Sequence, residues 1–212
     1  MATNESLRLD GVSLDDLLVP VHLTVAPGEI VCLSGASGSG KSRMLRALAD
    51  LEPHGGEVRL GEEEQSSMVG HLWRRAVMLV PAESHWWADS VGEHFADEPD
   101  ISDIEALGFE RTVLEWQISR LSSGEKQRLA LLRALCRKPS ALLLDEPTAN
   151  LDEANVHRVE AWLTSRIRQE GWPVLWVAHH GAQIARVADR HLRIEAGQLV
   201  NSTANEEASP WT

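Results

Sequence analysis

The sequence predicts an α/β fold with a mostly parallel central sheet, a small antiparallel β-subdomain near the N-terminus and an inserted helical subdomain. Three observations carry this prediction. Residues 6–34 contain short alternating strands around a Pro27-Gly28 turn, which is typical of a small antiparallel sheet. From residue 122 onwards, apolar strand-like runs alternate with helical runs, as in a parallel sheet that helices cover on both faces. Between them, residues 82–120 lose the strand pattern and carry short helical stretches with tryptophans and acids.

Length and composition predict a single domain for the whole chain. Its 212 residues are 43% apolar and 25% charged, which suffices for one full core. The net charge of −12 argues against a broad nucleic-acid-binding face, so no nucleic-acid partner is expected. The predicted parts of the domain are residues 1–81 and 121–200 for the core with its β-subdomain, 82–120 for the helical subdomain and 201–212 for a polar, frayed tail.

No stretch of the sequence has the pattern of a signal peptide or of a bilayer-spanning segment. We therefore expect a cytoplasmic chain, and any role at a membrane needs another chain to supply the span. The two cysteines, Cys32 and Cys136, fall at predicted buried positions. Small core residues are the expected interpretation, rather than a disulfide or a metal site.

Apolar periodicity and turn residues divide the chain into strands and helices. Turns are predicted at residues 27–28, 53–56 and 196–197, and Pro81 ends a strand. Residues 61–67 are acidic and polar, which predicts a solvated loop. The predicted strands cover residues 7–9, 19–25, 29–33, 57–60, 76–80, 141–144, 174–178, 191–195 and 198–200, and the predicted helices cover residues 43–49, 123–137, 153–169 and 182–188.

The glycine-rich run of residues 35–42 lies between a predicted strand and a predicted helix and fits the P-loop pattern G-x-x-x-x-G-K-[ST]. Glycines let successive N–H groups turn inward, which forms an anion site at the helix N-terminus. In a P-loop, Lys41 reaches the β- and γ-phosphates of a nucleotide and the Ser42 hydroxyl holds Mg²⁺. The alternative is a plain glycine turn, against which the flanking strand and helix argue. The predicted nucleotide-binding residues here are Gly35, Ala36, Ser37, Gly38, Ser39, Gly40, Lys41, Ser42 and Arg43.

An acidic pair follows the apolar run of residues 141–144. Asp145 and Glu146 fall at the carboxyl end of a predicted central strand, where open α/β sheets bind ligands. We predict that Asp145 lies on the Mg²⁺ side and that Glu146 polarises an attacking water as general base. A helix cap or a surface acid pair is the alternative. Together with the P-loop, the pair predicts a P-loop NTPase core.

A second stretch of small residues opens a predicted helix. Ser122, Ser123 and Gly124 precede Glu125, and by themselves they predict only a capped helix. The run of residues 121–128, LSSGEKQR, nevertheless resembles the signature motif of ABC ATPases, the nucleotide-binding subunits of ABC transporters.

The resemblance extends over nearly the whole chain. The family's motifs occur in order: P-loop, helical insertion, signature, acidic strand end, residues 148–152 as the D-loop and His179 as the switch histidine. A surface histidine after a strand is the alternative for His179, and His180 beside it leaves the register open. We prefer His179 because it is the first residue past the predicted strand.

The resemblance implies how the nucleotide is bound. Two cassettes of this family dimerise head to tail with ATP and Mg²⁺ between them, so that the P-loop of one chain faces the signature of the other. A homodimer is expected, because this chain carries both half-sites. The residues expected to contact the ATP bound by the opposite chain are Ser122, Ser123, Gly124 and Glu125.

The resemblance also implies the catalytic residues. Glu146 is the expected base, His179 holds the γ-phosphate and the water, and Lys41 binds the phosphates. Asp152 in the D-loop is expected to signal across the dimer.

Three positions depart from the family's pattern. The family usually has a glutamine that contacts Mg²⁺ and water where this chain has Ala82. The next residue, Glu83, is a candidate substitute for that glutamine. An aromatic residue usually stacks on adenine near the place of Leu14, yet no aromatic residue precedes Trp73, so weak base selectivity is expected. Ser123 stands where glycine is commoner, which is a small change.

The resemblance implies an integral-membrane permease as partner, and hence a peripheral location at the inner face of the cell membrane. Trp86-Trp87 sits where the family receives the permease's coupling helix, although these tryptophans could equally fill the subdomain's own core. Within the family, residues 122–128, 151–155 and 174–177 are most similar to small bacterial cassettes of the iron-export type.

Two other functions fit parts of the sequence. One is a soluble ABC-type ATPase that acts on ribosomes or DNA. Ribosome-type members usually carry two cassettes and this chain carries one, while DNA-repair members carry a long coiled coil that is missing between Pro81 and Leu121. A non-hydrolysing regulatory subunit would fit Ala82 and the missing aromatic residue. The intact Lys41, Asp145, Glu146 and His179 argue against it.

Overall fold

A computed structural model describes residues 5–15 and 17–202 of the chain, so the predicted tail beyond Ser202 lies outside the described residues. The strands are β1 (Leu7–Leu14), β2 (Leu18–Val25), β3 (Ile30–Gly35), β4 (Gly55–Leu60), β5 (Glu63–Glu64), β6 (Val77–Val80), β7 (Ala141–Asp145), β8 (Val174–Val177), β9 (Arg190–Glu195) and β10 (Gln198–Asn201). The α-helices are α1 (Lys41–Leu48), α2 (Gly70–Ala76), α3 (Ile101–Ala106), α4 (Ser123–Leu135), α5 (Glu153–Glu170) and α6 (Gly181–Val187).

The central sheet has six strands in the order β10-β9-β3-β8-β7-β6. Every neighbouring pair is parallel except β9 and β10, which form an antiparallel hairpin at one edge. Its inner strands are buried on both faces, which explains why they appear in the sequence as unbroken apolar runs. The α/β prediction with a mostly parallel sheet is confirmed.

Alternate residues of β3 divide between two hydrophobic cores. Val31 and Leu33 belong to the core that contains the β-subdomain and helix α1. Ile30 and Cys32 belong to the opposite core, which contains α4, α5 and the inserted segment. Helices α1 and α4 therefore lie on opposite faces of the same sheet, and the sheet is covered on both sides as the sequence predicts.

The β-subdomain is an antiparallel sheet of order β2-β1-β4-β5. Leu7 and Leu9 of β1 point into the shared core and Arg8 between them is exposed, because one face of this sheet is solvated. The predicted solvated loop at residues 61–67 is wrong in part. It contains β5 and a 3₁₀ turn at Gln65–Ser67, and the Gln65 side chain is buried.

Helix α2 is absent from the sequence-based assignment, and its role is to close the end of α1. Trp73 of α2 is fully buried and donates its indole N–H to the Leu48 carbonyl at 2.8 Å. The Gln65 amide donates to the Ala47 carbonyl at 2.9 Å. These bonds satisfy carbonyl groups that a helix end leaves free. A short helix running directly into β6 gives no separate periodic signal.

The inserted segment contains one α-helix, α3, and three 3₁₀ turns at Gly92–His94, Arg111–Glu115 and Ile118–Arg120. This matches the short helical stretches expected there. Apolar residues of the segment, among them Val91, Ile104 and Val113, complete the core formed by α4 and α5.

Both cysteines are unpaired side chains of the interior. Cys32 is buried and Cys136 half-buried. Burial raises the pKa of the Cys32 thiol to about 12 and that of Cys136 to about 11. They are therefore protonated core residues, as the sequence predicts. Within residues 5–15 and 17–202, no helix has both the length and the apolar character that crossing a bilayer requires.

Candidate functional site

The loop between β3 and α1 comes too close to its surroundings for side chains at two glycines. A Cβ atom on Gly35 would lie 2.8 Å from the Ile194 carbonyl oxygen, and one on Gly40 would lie 2.4 Å from Leu17 Cδ2. Gly40 also has a φ of 101° and is the N-cap of α1, with no side chain capping the first turn. The N–H groups of that turn are thus left for an anion.

Lys41 begins α1 and reaches back across the loop. Its ammonium donates to the Gly35 carbonyl at 2.8 Å and to the Ala36 carbonyl at 3.0 Å. Burial lowers the pKa of Lys41, and the nearby Glu146 and Asp145 carboxylates oppose that shift. Two of its three N–H donors are used in this way, which leaves one for a phosphate oxygen.

Asp145 ends β7 beside Ser42. Burial raises the pKa of the Asp145 carboxyl, while a hydrogen bond from the Ser42 hydroxyl opposes the shift. Asp145 Oδ1 is buried, and among the described residues it has no hydrogen-bond partner. A buried carboxylate oxygen without a partner, beside a hydroxyl group, matches the ligands of Mg²⁺. In proteins this ion usually binds one or two such oxygens together with nucleotide phosphates. The residues present therefore fit this ion.

Glu146 and His179 meet at the end of the sheet. Glu146 Oε1 lies 2.7 Å from His179 Nε2, and both side chains are partly exposed. Glu146 has a φ of 47°, a left-handed conformation that is uncommon outside glycine, and its carbonyl accepts the Ala149 N–H at 3.1 Å. The structure places His179, and not His180, against Glu146; His180 is the N-cap of α6.

The signature residues lie at the N-terminus of α4 and not beside Lys41. Ser122 is the N-cap of α4 and forms a capping box with Glu125, whose carboxylate accepts the Ser122 N–H at 2.8 Å. This bond holds the pKa of Glu125 below its usual value. Since α4 and α1 lie on opposite faces of the sheet, residues 122–125 do not join the Lys41 site within one chain.

The signature instead contacts the D-loop. A Cβ atom on Gly124 would lie 3.1 Å from the Asn150 carbonyl oxygen, so these segments touch. Asp152 caps α5 by accepting the Asn155 N–H at 2.9 Å, which holds the pKa of the Asp152 carboxyl low. Ser123 therefore begins a helix whose first turn packs on the D-loop.

The sequence profile of the ABC transporter family matches residues 18–149 of this chain, which is more than half of its length. The chain belongs to this family. Members of the family hydrolyse ATP, and the chain is an ATP-binding subunit of the ABC transporter type.

Three curated relatives of this ABC ATPase have different tasks. It is 35% identical to the lipoprotein-releasing system ATP-binding protein LolD of Novosphingobium aromaticivorans, over 92% of this chain and 94% of that protein. It is 35% identical to the aliphatic sulfonates import ATP-binding protein SsuB 1 of Pseudomonas fluorescens, over 90% and 69% of the two chains. It is 30% identical to the probable iron export ATP-binding protein FetA of Escherichia coli, over 86% and 87%.

A solved structure shares the fold. A bacterial Atm1-family ABC exporter with ATP bound superposes with a TM-score of 0.80 at 23% identity, over 95% of this chain. The match spans 39% of the exporter's own chain. It confirms the fold of an ABC ATPase.

The departures from the family's pattern have structural counterparts. Ala82 is half-buried and Glu83 is exposed, and the hydrogen bond that Asp145 accepts comes from Ser42. Leu14 is a core residue, so it is not the one that borders a nucleotide; Leu17, beside Gly40, is the apolar residue at the P-loop. Arg43, predicted to touch nucleotide, pairs its guanidinium with Glu52 at 3.0 Å.

Sequence reasoning missed a buried polar cluster behind Glu146 and His179, consisting of Thr148, Glu160, Gln183 and the half-exposed Arg186. A signal was present in α5. Glu160 shares a helix face with the buried Leu163 and Ile167, where an acid is out of place unless it is paired.

Proposed function

We propose that this chain hydrolyses Mg·ATP as a head-to-tail homodimer and thereby powers a separately encoded membrane permease. The observation that carries the proposal is the 2.7 Å contact between Glu146 and His179 at the sheet edge that also bears Lys41 and Asp145. It supplies a carboxylate base and an orienting imidazole beside a phosphate-binding loop.

Each residue has a distinct task in the proposed reaction. Lys41 and the uncapped N–H groups of α1 bind the phosphate oxygens and neutralise part of their charge. Ser42 and Asp145 would hold Mg²⁺, and the bound ion would supply positive charge that stabilises the negative charge of the phosphates. Glu146 orients the attacking water and accepts its proton, while His179 fixes the Glu146 carboxylate and extends toward the γ-phosphate.

The proposal needs a second copy of the chain. Residues 122–125 lie on the helix that covers the opposite face from α1, so one chain cannot close its own nucleotide site with them. A copy rotated head to tail brings its α4 N-terminus to the ATP, where N–H groups and small side chains suit an anion. Asp152 and the D-loop, which contact the signature, then lie at the same interface.

The two tryptophans of the insertion differ in exposure, and only one of them is placed for a permease contact. Trp87 is 70% exposed, whereas Trp86 packs against the core. The buried His94 accepts the backbone N–H groups of Trp87 and Ala88 at 3.0 and 3.1 Å, and thus fixes the backbone that carries the exposed indole. A rigid, exposed tryptophan is typical of an interface anchor. We assign the docking role to Trp87 and the packing role to Trp86.

The cargo is the finer part of the proposal. The three relatives carry out lipoprotein release, sulfonate import and iron export by their names, so similarity alone assigns no solute. Iron export is one candidate cargo, and it has a direct cellular test. Deleting the gene should raise cellular iron and sensitivity to added iron; unchanged iron content would exclude this cargo.

Steady-state ATP hydrolysis of the purified chain tests the enzymatic proposal. We expect Mg²⁺-dependent hydrolysis by the wild type and at least a hundredfold loss in Glu146→Gln, with ATP binding kept. Wild-type hydrolysis no faster than that of Glu146→Gln, both alone and with its co-expressed permease, would exclude the motor and favour a regulatory ATP-binding subunit. Two features favour the regulatory function as the second candidate, namely Ala82 in place of a glutamine and the lack of an aromatic residue before Trp73.

A further inference from the structure

Two side-chain hydrogen bonds join the segment that follows β7 to the segment that follows β8. The first is the bond between Glu146 and His179, whose side chains are 35% and 40% exposed. In the second, Gln183 Nε2 donates to Thr148 Oγ1 at 2.7 Å, and both of these residues are 7% exposed. Water competes less for the second bond than for the first, so the buried bond contributes more to the spacing of the two segments.

Gln183 is itself held from behind. Its Nε2 atom also lies 3.0 Å from Glu160 Oε1. Arg186 donates to the same carboxylate through Nε at 2.8 Å and Nη2 at 2.9 Å, and this pairing raises the pKa of Arg186. A buried carboxylate with both oxygens paired is costly to move, because any displacement leaves a charge unsatisfied. The Glu160 carboxylate therefore fixes the position of the Gln183 amide.

The backbone at Glu146 needs such support. A left-handed φ of 47° at a non-glycine residue is strained and persists only where the surroundings hold it. Thr148 lies inside the turn that the Ala149 N–H closes on the Glu146 carbonyl. A bond at Thr148 therefore restrains the turn that aims the Glu146 side chain.

The same bond restrains His179. Gln183 lies in the first turn of α6, where its N–H and that of Ile184 bond to the His180 carbonyl at 2.9 and 3.0 Å. His179 is the residue immediately before this anchor. A cavity of about 440 Å³ adjoins the pair and is lined in part by Thr148, Gln183 and Arg186. Side chains that lose the buried bond thus have room to move apart.

We propose that Gln183, fixed by Glu160 and Arg186, is a positioning residue that acts through Thr148 to hold Glu146 and His179 within hydrogen-bond distance. The proposal rests on the proposed function of that pair in hydrolysis. It predicts that removing the buried Thr148 hydroxyl slows the chemical step and leaves ATP binding intact.

Full-length variants at Thr148 test this prediction. Thr148→Val removes the hydroxyl at nearly constant volume and should lower kcat about tenfold, with KM for ATP within about twofold. Thr148→Ser keeps the hydroxyl and should restore the wild-type kcat. The matched control is Thr164→Val on α5, because within residues 5–15 and 17–202 the Thr164 hydroxyl bonds to carbonyls of its own helix alone, at Glu160 and Ala161. It should hydrolyse ATP at the wild-type rate.

A measurement without turnover separates this inference from the proposed function. In ¹⁵N-histidine spectra of the apo protein, the ring signal that disappears in His179→Gln reports on the Nε2 contact with Glu146. Thr148→Val should shift that signal, and Thr148→Ser and Thr164→Val should not. If the wild type hydrolyses no ATP, the function fails while the spectra still test the positioning. An unshifted His179 signal together with an unchanged kcat in Thr148→Val overturns the inference, as does an equal change of kcat and KM.

Discussion

The adjacent tryptophans of the insertion are expected to respond differently to truncation. Trp86 packs against the main core, lies edge-on to the His94 ring at 4.7 Å and has the Arg133 guanidinium over its face at 4.5 Å. Truncating a fully buried tryptophan costs about 3–5 kcal/mol, so we expect about 2 kcal/mol for Trp86→Ala, which is only half-buried. At this chain length that corresponds to a fall in Tm of about 4–8 °C.

Trp87→Ala should cost much less stability. Trp87 is 70% exposed, and its contacts are an edge with His94 at 4.7 Å and the Arg133 guanidinium at 5.0 Å. An exposed cation–π contact contributes about 0.5–1 kcal/mol, so Tm should fall by no more than about 4 °C. Because we assign the docking role to this side chain, Trp87→Ala should abolish co-purification with the co-expressed permease.

Thermal unfolding and affinity co-purification of the wild type, Trp86→Ala and Trp87→Ala test which tryptophan packs and which one docks. The assignment is refuted by equal losses of Tm in the two variants, or by wild-type recovery of permease with Trp87→Ala. Loss of permease in Trp86→Ala alone would also refute it, since it would place the contact on the packed side chain.

Two further predictions concern the nucleotide site. Because Leu17 offers no ring to the base, ATP and GTP should bind within a few-fold of each other; a strong adenine preference in the wild type contradicts this. Leu17→Tyr should tighten the binding of both nucleotides about fivefold or more, because either base can stack on the added ring. Burial raises the pKa of Asp145, so the free energy of unfolding falls as pH rises through its unfolded pKa and then through the raised folded pKa. At neutral pH without Mg²⁺, Asp145→Asn should therefore have a higher Tm than the wild type and should gain nothing from Mg·ATP; a lower Tm would contradict the burial argument.

Much of the fold follows from local patterns in the sequence. The inner strands β3, β7 and β8 are buried on both faces, so each appears as an apolar run that predicts a strand and its place in the sheet. Motifs at strand ends are equally local. The run of residues 35–42 specifies its own loop geometry, because glycine fits the left-handed and crowded positions there.

What the sequence did not predict depends on distant contacts. Helix α2 is too short to give a periodic signal. The roles of Trp73 and Gln65 depend on their hydrogen bonds to carbonyls at the end of α1, which lie at least 17 residues away. The direct bond between Thr148 and Gln183 spans 35 residues, and Gln183 is also bound by a buried acid on α5, Glu160. Such pairings depend on tertiary packing, and no periodic or spacing rule encodes them.

The most direct test of a site shared by two chains is the mass of Glu146→Gln in solution. The chain weighs 23.4 kDa. With saturating Mg·ATP, light scattering should show a particle of twice that mass, and without nucleotide the single chain. Adding Gly124→Asp to the same variant places a carboxylate at the signature and should keep it monomeric while ATP remains bound. A monomer of Glu146→Gln with ATP demonstrably bound would contradict the account.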